Sequence, residues 1–425
     1  MGRKVSELRD ECASRGIELP EGKVSSKVLI KKLADYSIEQ RGGWDSLSWG
    51  LQQRLLLDDL MLCSSYKHLK PEEQKECMTS VNWIAERKLN GCRMLVTYHP
   101  DEGFGFFSRN ISVIDFLPVD YTEKILVNCG SDLREAKSFI GVFKYSFILD
   151  AEALCDKVDI DTTLYRGKGG STTGSKLNAV ITILAIETSI SHRIQREQAP
   201  LRLCVFDCLQ NGTLDFQDSS LDYRIVARTN MLKVLYAVGI KIDVVDSNIG
   251  WNLTKQKFYD QLIAEGDEGV VLKRLEEHYI ASTSRSKVGF VKRKRSMKEA
   301  GGADIDAYIT GFVPSSPKNA WAHLIGGLEM SVMLVDKNGN EQETVIAVVS
   351  AMKYTLREEM TVYVDGKPAL KPEFLRKVLV VNGQDVSPKS KTFMHAVGDW
   401  DRGFREDKSW TDCRMEEEFL NSQIL

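Results

Sequence analysis

The stretch Glu86-Arg87-Lys88-Leu89-Asn90-Gly91-Cys92-Arg93 decides how this chain is read. It lies where the apolar run Trp83-Ile84-Ala85 gives way to Asn-Gly, the dipeptide that most readily supplies a tight turn. A turn at the end of a strand would aim Lys88 at a phosphate. Taken alone the pattern is weak, because Lys-x-Asn-Gly also occurs in ordinary hairpins. It gains force from the elements that follow in order and end at Arg405-Glu406-Asp407-Lys408.

Each later element puts a charged or aromatic group at the end of an apolar strand. Ser108-Arg109 ends a hairpin strand, where an arginine could reach a ribose or a 5′-phosphate. Asp150-Ala151-Glu152 closes the run 147–149, and Glu268-Gly269 opens the run 270–272. Two carboxylates without a His/Cys cluster suit a hard cation rather than zinc. Phe206-Asp207 ends another strand, and an aromatic there could stack on a base. Lys292 and Lys294 alternate in Phe290-Val-Lys-Arg-Lys, so both fall on one strand face. Read singly, most of these are solvated turn acids, core rings or a basic run.

Lys88 is the candidate nucleophile. An amine attacks phosphorus only as the free base. An unperturbed lysine, with a pKa of ~10.4, offers about one molecule in a thousand in that form at neutral pH. Each unit of depression gives about 1.4 kcal/mol. Neighbouring cations, a bound Mg²⁺ or partial burial would supply it, and Lys292 and Lys294 are suited to the task. They would also neutralise an α-phosphate during transfer.

This set resembles the covalent nucleotidyltransferase superfamily and, within it, the ATP-dependent DNA ligases, over residues 83–408. The resemblance implies a covalent lysyl–AMP at Lys88. It implies that Glu86 recognises the adenine amino group. Arg93 and Arg109 would contact the nucleotide sugar and later the nick phosphate. Glu152 would bind ribose and Phe206 would stack on adenine. Glu268 would be metal-associated, with Glu152 as the second metal-side carboxylate. Lys292 and Lys294 would serve the α-phosphate, and Arg405, Asp407 and Lys408 the leaving pyrophosphate. The chain departs from the pattern at Ala151, where glycine is usual, and at Phe290, where tryptophan is common. Neither removes a reacting group. The resemblance further implies ATP with Mg²⁺ (or Mn²⁺), nicked double-stranded DNA as substrate, and a terminal barrel that swings from lid to clamp. Work in DNA repair, replication or recombination would follow. An RNA ligase would share most of these residues, and a capping guanylyltransferase would share the barrel but use GTP.

The expected fold class is multidomain α+β. A helical module is expected over 1–38, an adenylation domain of antiparallel sheets with helices over 39–298, and an OB-fold barrel over 299–425. Residues 4–36 read as two short amphipathic helices around Pro20-Glu-Gly22, with Lys23, Lys27, Lys31 and Lys32 left outward. This resembles the SAP module, a small DNA-binding unit. Residues 37–50 read as a linker and 52–61 as a helix. Tyr165–Lys176 reads as a flexible basic loop that misses the phosphate-loop pattern. Runs at 307–312, 328–335 and 344–349 read as strands, with a hairpin at Asn338-Gly339.

The 425 residues are 43% hydrophobic and 28% charged, which describes an ordinary globular chain with ample core. A net charge of −3 gives no global basic signal, so nucleic acid would need a local basic surface. Nine scattered cysteines without a Cys-x-x-Cys pair predict reduced thiols and a cytoplasmic or nuclear setting. The most apolar stretch, 179–186, is too short to span a bilayer. A monomer is expected, and the compact size suits a virus or phage acting in the host cytoplasm.

Overall fold

The computed structural model describes residues 5–19, 22, 24–57, 60–166, 173, 175–281, 289–294, 304–316, 321–387, 390–400 and 402–422. Part of the basic loop, residues 167–172 and 174, and Lys23 lie outside them. The chain divides into two compact units, 1–294 and 295–425.

In the first unit, two helices, Val5–Ser14 and Ser26–Gln40, bury Leu8 and Cys12 against Leu29 and Leu33. Ser25 caps the second helix by accepting from the Val28 amide. That helix runs into the expected linker because Ser37 continues the buried stripe of Leu29 and Leu33 at four-residue spacing. The next helix is Trp49–Leu56 rather than 52–61. Ser48 caps it a turn early, and Leu57 is already extended.

The helix pair is seated on an excursion from the large sheet. Phe116, left-handed with φ of 60°, completes the Leu8–Leu33 cluster. Arg15 donates to the Ile114 carbonyl at 2.7 Å and lies over the Phe116 ring, and Arg41 pairs with Asp115 at 2.6 Å.

Two sheets follow. The larger runs in the order Leu214–Asp215, Arg202–Asn211, Phe147–Leu154, Cys92–His99, Gly103–Ile111, Pro118–Asp120, with Asp243–Val244 beside Arg202–Asn211. Its core joins Met94, Val96 and Leu149 to the helices Lys176–Ala185 and Thr188–Glu197 through Val180, Ile183 and Ile194. The smaller sheet runs Ser64–Ser65, Phe290–Lys294, Gly269–Arg274, Trp83–Arg87. It packs Trp83, Val270 and Leu272 on Phe258 and Leu262 of the helix Lys255–Ala264. Both are chiefly antiparallel.

In the second unit five strands pair in a ring. The order is Asp304–Pro314, Val378–Val386, Phe393–Gly398, Glu341–Val349 and Ile325–Val335, and the last returns to the first. Ile309, Leu328, Ile346, Leu379 and Val381 fill it. Gly339, with φ of 79°, makes the turn between Ile325–Val335 and Glu341–Val349. All nine cysteines are free thiols. Among the described residues no helix is long and apolar enough to cross a membrane.

Phe116 is 4% exposed, and its ring is what the sheet excursion contributes to the Leu8–Leu33 cluster. Phe116→Ser should cost about 3–5 kcal/mol of local packing. Limited proteolysis should then cut between residues 40 and 49 at least roughly tenfold faster. An unchanged cutting rate would show that the seat does not depend on the ring.

Candidate active site

Lys88-Leu-Asn-Gly91 is not a hairpin turn. It carries the chain from the smaller sheet, at Trp83–Arg87, into the larger, at Cys92–His99. The link is held at both ends. The Lys88 amide donates to the Gly269 carbonyl at 2.9 Å, and the Gly91 amide donates to Glu152 Oε1 at 2.8 Å. A Cβ on Gly91 would meet the Ala153 carbonyl oxygen at 2.1 Å, so this position requires glycine for close approach. Gly269, with φ of 134°, is equally constrained: its Cβ would lie 2.2 Å from the Arg293 carbonyl oxygen.

Lys88 Nζ is ion-paired with Glu268, whose other oxygen takes Lys294. Burial pushes the Glu268 carboxyl up, but the Lys88 and Lys294 ammoniums outweigh it and hold it below its ordinary value. The sequence surrounds Lys88 with cations. The structure instead gives it a carboxylate as direct partner, with the cation behind. Lys292 is half-buried on the face of the strand that carries Lys294.

Beside Lys88 opens a slot of about 110 Å³, lined by Glu86, Arg93, Glu152, Phe206, Lys273 and Phe290 among others. Glu86 is 1% exposed. It pairs with Lys273 and, at 2.9 Å, with Arg228. Burial pushes its carboxyl up, but the two cations prevail and keep it ionised. Lys273 lies 5.1 Å from the centres of both the Phe206 and Phe290 rings and donates to the Phe206 carbonyl at 3.2 Å. Arg93 is bidentate to Asp150, at 2.9 and 2.5 Å, and donates to the Met61 carbonyl at 2.6 Å. Tyr279 closes this cluster by donating to Asp150 at 2.5 Å. Glu152 is pushed up by burial, only partly offset by the Gly91 amide and Lys88.

A roomier cavity, of about 600 Å³, lies between Trp49, His99, Glu102 and Asp120. It contains none of the residues singled out by the sequence, and its Glu102 carboxylate is already used by the Trp49 amide.

Eight expected residues therefore cluster: Glu86, Lys88, Arg93, Glu152, Phe206 and Glu268 with the lysines at 292 and 294. Arg109 does not line the slot. It is exposed on Gly103–Ile111, and its carbonyl accepts from Arg54 at 3.1 Å. Arg405, Asp407 and Lys408 belong to the second unit. There Asp306 takes Arg405 at 3.2 Å and Lys408 at 2.5 Å, while Asp407 is bidentate to Arg405 at 2.7 Å. Asp407 is held down at about 2, chiefly by its hydrogen bonds from Arg405. Asp150, Arg228, Lys273 and Tyr279 received no role from the sequence. Lys273 ends the run that Glu268 opens, and its position four after Gly269 was the available signal. Tyr279 and Arg228 carried none.

Lys88, paired with Glu268, thus stands beside a slot walled in part by the Phe206 and Phe290 rings. Residues 60–294, more than half the chain, match the family model described as ATP dependent DNA ligase domain. The chain belongs to the ATP-dependent DNA ligases. No curated protein matches it. Among solved structures it is similar to one named Pmar-Lig_Pre, at 12% identity over 90% of this chain and 72% of that one, with a TM-score of 0.53. It is also similar to mycobacterial DNA ligase D complexed with ATP and MES, at 16% identity over 84% and 97%, TM-score 0.37. The ligase of bacteriophage T7 in complex with ATP matches at 15% over 80% and 98%, TM-score 0.34.

The folded-state carboxyl of Glu86 lies below its unfolded value, so its stabilisation is present above the ordinary glutamate pKa of ~4.3 and lost as pH falls through the folded value. Glu86→Gln leaves Lys273 and Arg228 buried without their counter-charge. It should cost about 3–5 kcal/mol at pH 7, and the gap to wild type should narrow towards pH 3. Denaturant unfolding at the two pH values tests this, and a gap that widens in acid would refute the pairing.

Proposed function

We propose that Lys88 is the residue that carries AMP in this ligase. Its Nζ attacks the α-phosphorus of ATP. The N–P bond forms, the bond to pyrophosphate breaks, and the proton shed by the amine passes to solvent water. Glu268 is the carboxylate in contact with Nζ, which also donates to the Leu89 carbonyl at 3.4 Å. Held below its ordinary value, it is a poor store for that proton, so its main service is to orient the amine. AMP then passes to the 5′-phosphate of a nicked strand, freeing Lys88. The adjacent 3′-hydroxyl attacks that phosphate and expels AMP. Lys292 and Lys294 neutralise the α-phosphate, and Arg405, Asp407 and Lys408 assist pyrophosphate departure. Arg93 and Arg109 serve the sugar and the nick phosphate. The single observation that carries this reading is the amine of Lys88, fixed by Glu268 at the edge of the slot that Glu86, Phe206 and Lys273 line.

The slot suits adenine. Phe206 offers a stacking face. Glu86 is an ionised acceptor, and Lys273, next to it, is a donor. Adenine presents an amino donor beside a ring-nitrogen acceptor on one edge, whereas guanine presents the reverse. The ribose falls to Glu152. Magnesium enters with ATP as the salt of its phosphates. Among the described residues no cluster of three or more His, Cys, Asp or Glu could hold a metal alone. Glu152 and Glu268 are the oxygen donors this chain would add to those phosphates. Both oxygens of Glu268 are engaged by ammoniums, so any share it took in holding a cation would compete with Lys88 and Lys294.

The closed ring of the second unit supports an OB-type barrel, and the N-terminal helix pair supports a SAP-like contact with DNA. Lys27 and Lys31 are exposed on Ser26–Gln40, in place for backbone phosphates of duplex DNA. The protein acts as a soluble monomer in this reading.

Incubation with α-labelled ATP should label the chain, GTP should not, and Lys88→Ala should abolish the label. Labelling by GTP would replace this reading with capping chemistry. Sealing of a nicked duplex, but not of single-stranded RNA, should follow when ATP and Mg²⁺ are supplied. Deleting residues 1–38 should spare self-adenylation, while nick affinity drops and depends less steeply on salt. Unchanged affinity would remove the helix pair from DNA binding.

A further inference from the structure

The helix Leu221–Ala237 turns inward at Leu221, Arg224, Arg228, Met231 and Leu235. Two of those five positions are arginines, at 2% and 4% exposure. A guanidinium is seldom buried without acceptors built for it. Arg224 takes Asp207, at 2.8 and 3.2 Å, and the carbonyls of Ser219 and Glu277. Its partners lie outside the slot lining.

Arg228 is different. One nitrogen donates to Glu86 Oε1 at 2.9 Å and to the Phe206 carbonyl at 2.7 Å. Those residues belong to strands of separate sheets and form two walls of the slot. Lys273 also contacts both residues, through the other Glu86 oxygen and the same Phe206 carbonyl, so without Arg228 that carbonyl keeps a donor while Glu86 Oε1 loses its own. What Arg228 adds is a second tether on each wall.

We propose that Arg228 is a positioning residue for base selection. It fixes the Glu86 carboxylate relative to the Phe206 ring, so that the slot accepts a 6-aminopurine nucleotide and rejects a purine lacking that amino group. This rests on the reading that Glu86 accepts from the base amino group. Arg228 does not touch the base in this scheme. It acts through Glu86 and Phe206.

The test measures initial rates of Lys88 labelling by ATP and by purine riboside triphosphate, which carries hydrogen at position 6, on the full chain with Mg²⁺. Wild type should prefer ATP by roughly tenfold or more. In Arg228→Lys and Arg228→Gln the preference should fall to within roughly threefold, with a raised KM for ATP. The ratio is taken within one protein, so a lower folded fraction cancels. Arg224→Lys should keep the wild-type ratio, because its partners lie off the slot. Wild-type preference in both Arg228 variants would overturn the proposal, as would equal loss in Arg224→Lys. Glu86→Gln should also lose the preference. If it does not, the reading of Glu86 fails, and the role of Arg228 falls with it.

Discussion

The contact of Gly91 with the Ala153 carbonyl is the constraint on which the site depends. It lets the link from one sheet press against Phe147–Leu154 of the other, and any side chain would push the strands apart. Lys88, three residues earlier, is thereby held at its backbone, while Glu268 holds its amine. The Gly91 amide and the Lys88 amide each find an acceptor on a different sheet. A side chain anchored at such a junction starts from a fixed backbone position.

Around that junction, carboxylates are committed before any ligand arrives. Asp150 is spent on Arg93 and Tyr279, Glu86 on Lys273 and Arg228, Glu268 on Lys88 and Lys294. Buried charges of one sign would be expensive, and pairing makes the arrangement tolerable. It also orients the acceptors and donors that a nucleotide meets, so little reorganisation is left for the moment of reaction.

Much of this was legible in the sequence because the charged site residues lie within two residues of a strand end, where a charge breaking an apolar run stands out, whereas Phe206 sits mid-strand. Glu86, Glu152, Glu268 and the lysines at 292 and 294 share that signature. The direct partner of Lys88 was not legible, since register alone brings Glu268 and Lys294 to it across two strand pairings. Arg224 and Arg228 escaped for another reason. On a helix, buried arginine at four-residue spacing erases the apolar stripe that marks an inward face. Phe116 escaped because an excursion from a sheet has no period. The early start of Trp49–Leu56 turned on one serine cap, a local signal outweighed in the sequence by the apolar run after it.

The pairing of each cation that lines the slot with a carboxylate has one more consequence. With carboxylates cancelling most of the ammonium and guanidinium charge, the empty pocket projects little field into solvent. Triphosphate capture then relies on contacts made at close range, where dissolved salt screens poorly. Capture of duplex by exposed lysines would feel every mobile ion. Raising ionic strength should therefore separate the two halves of the reaction, leaving a charged enzyme that has lost its grip on the strand.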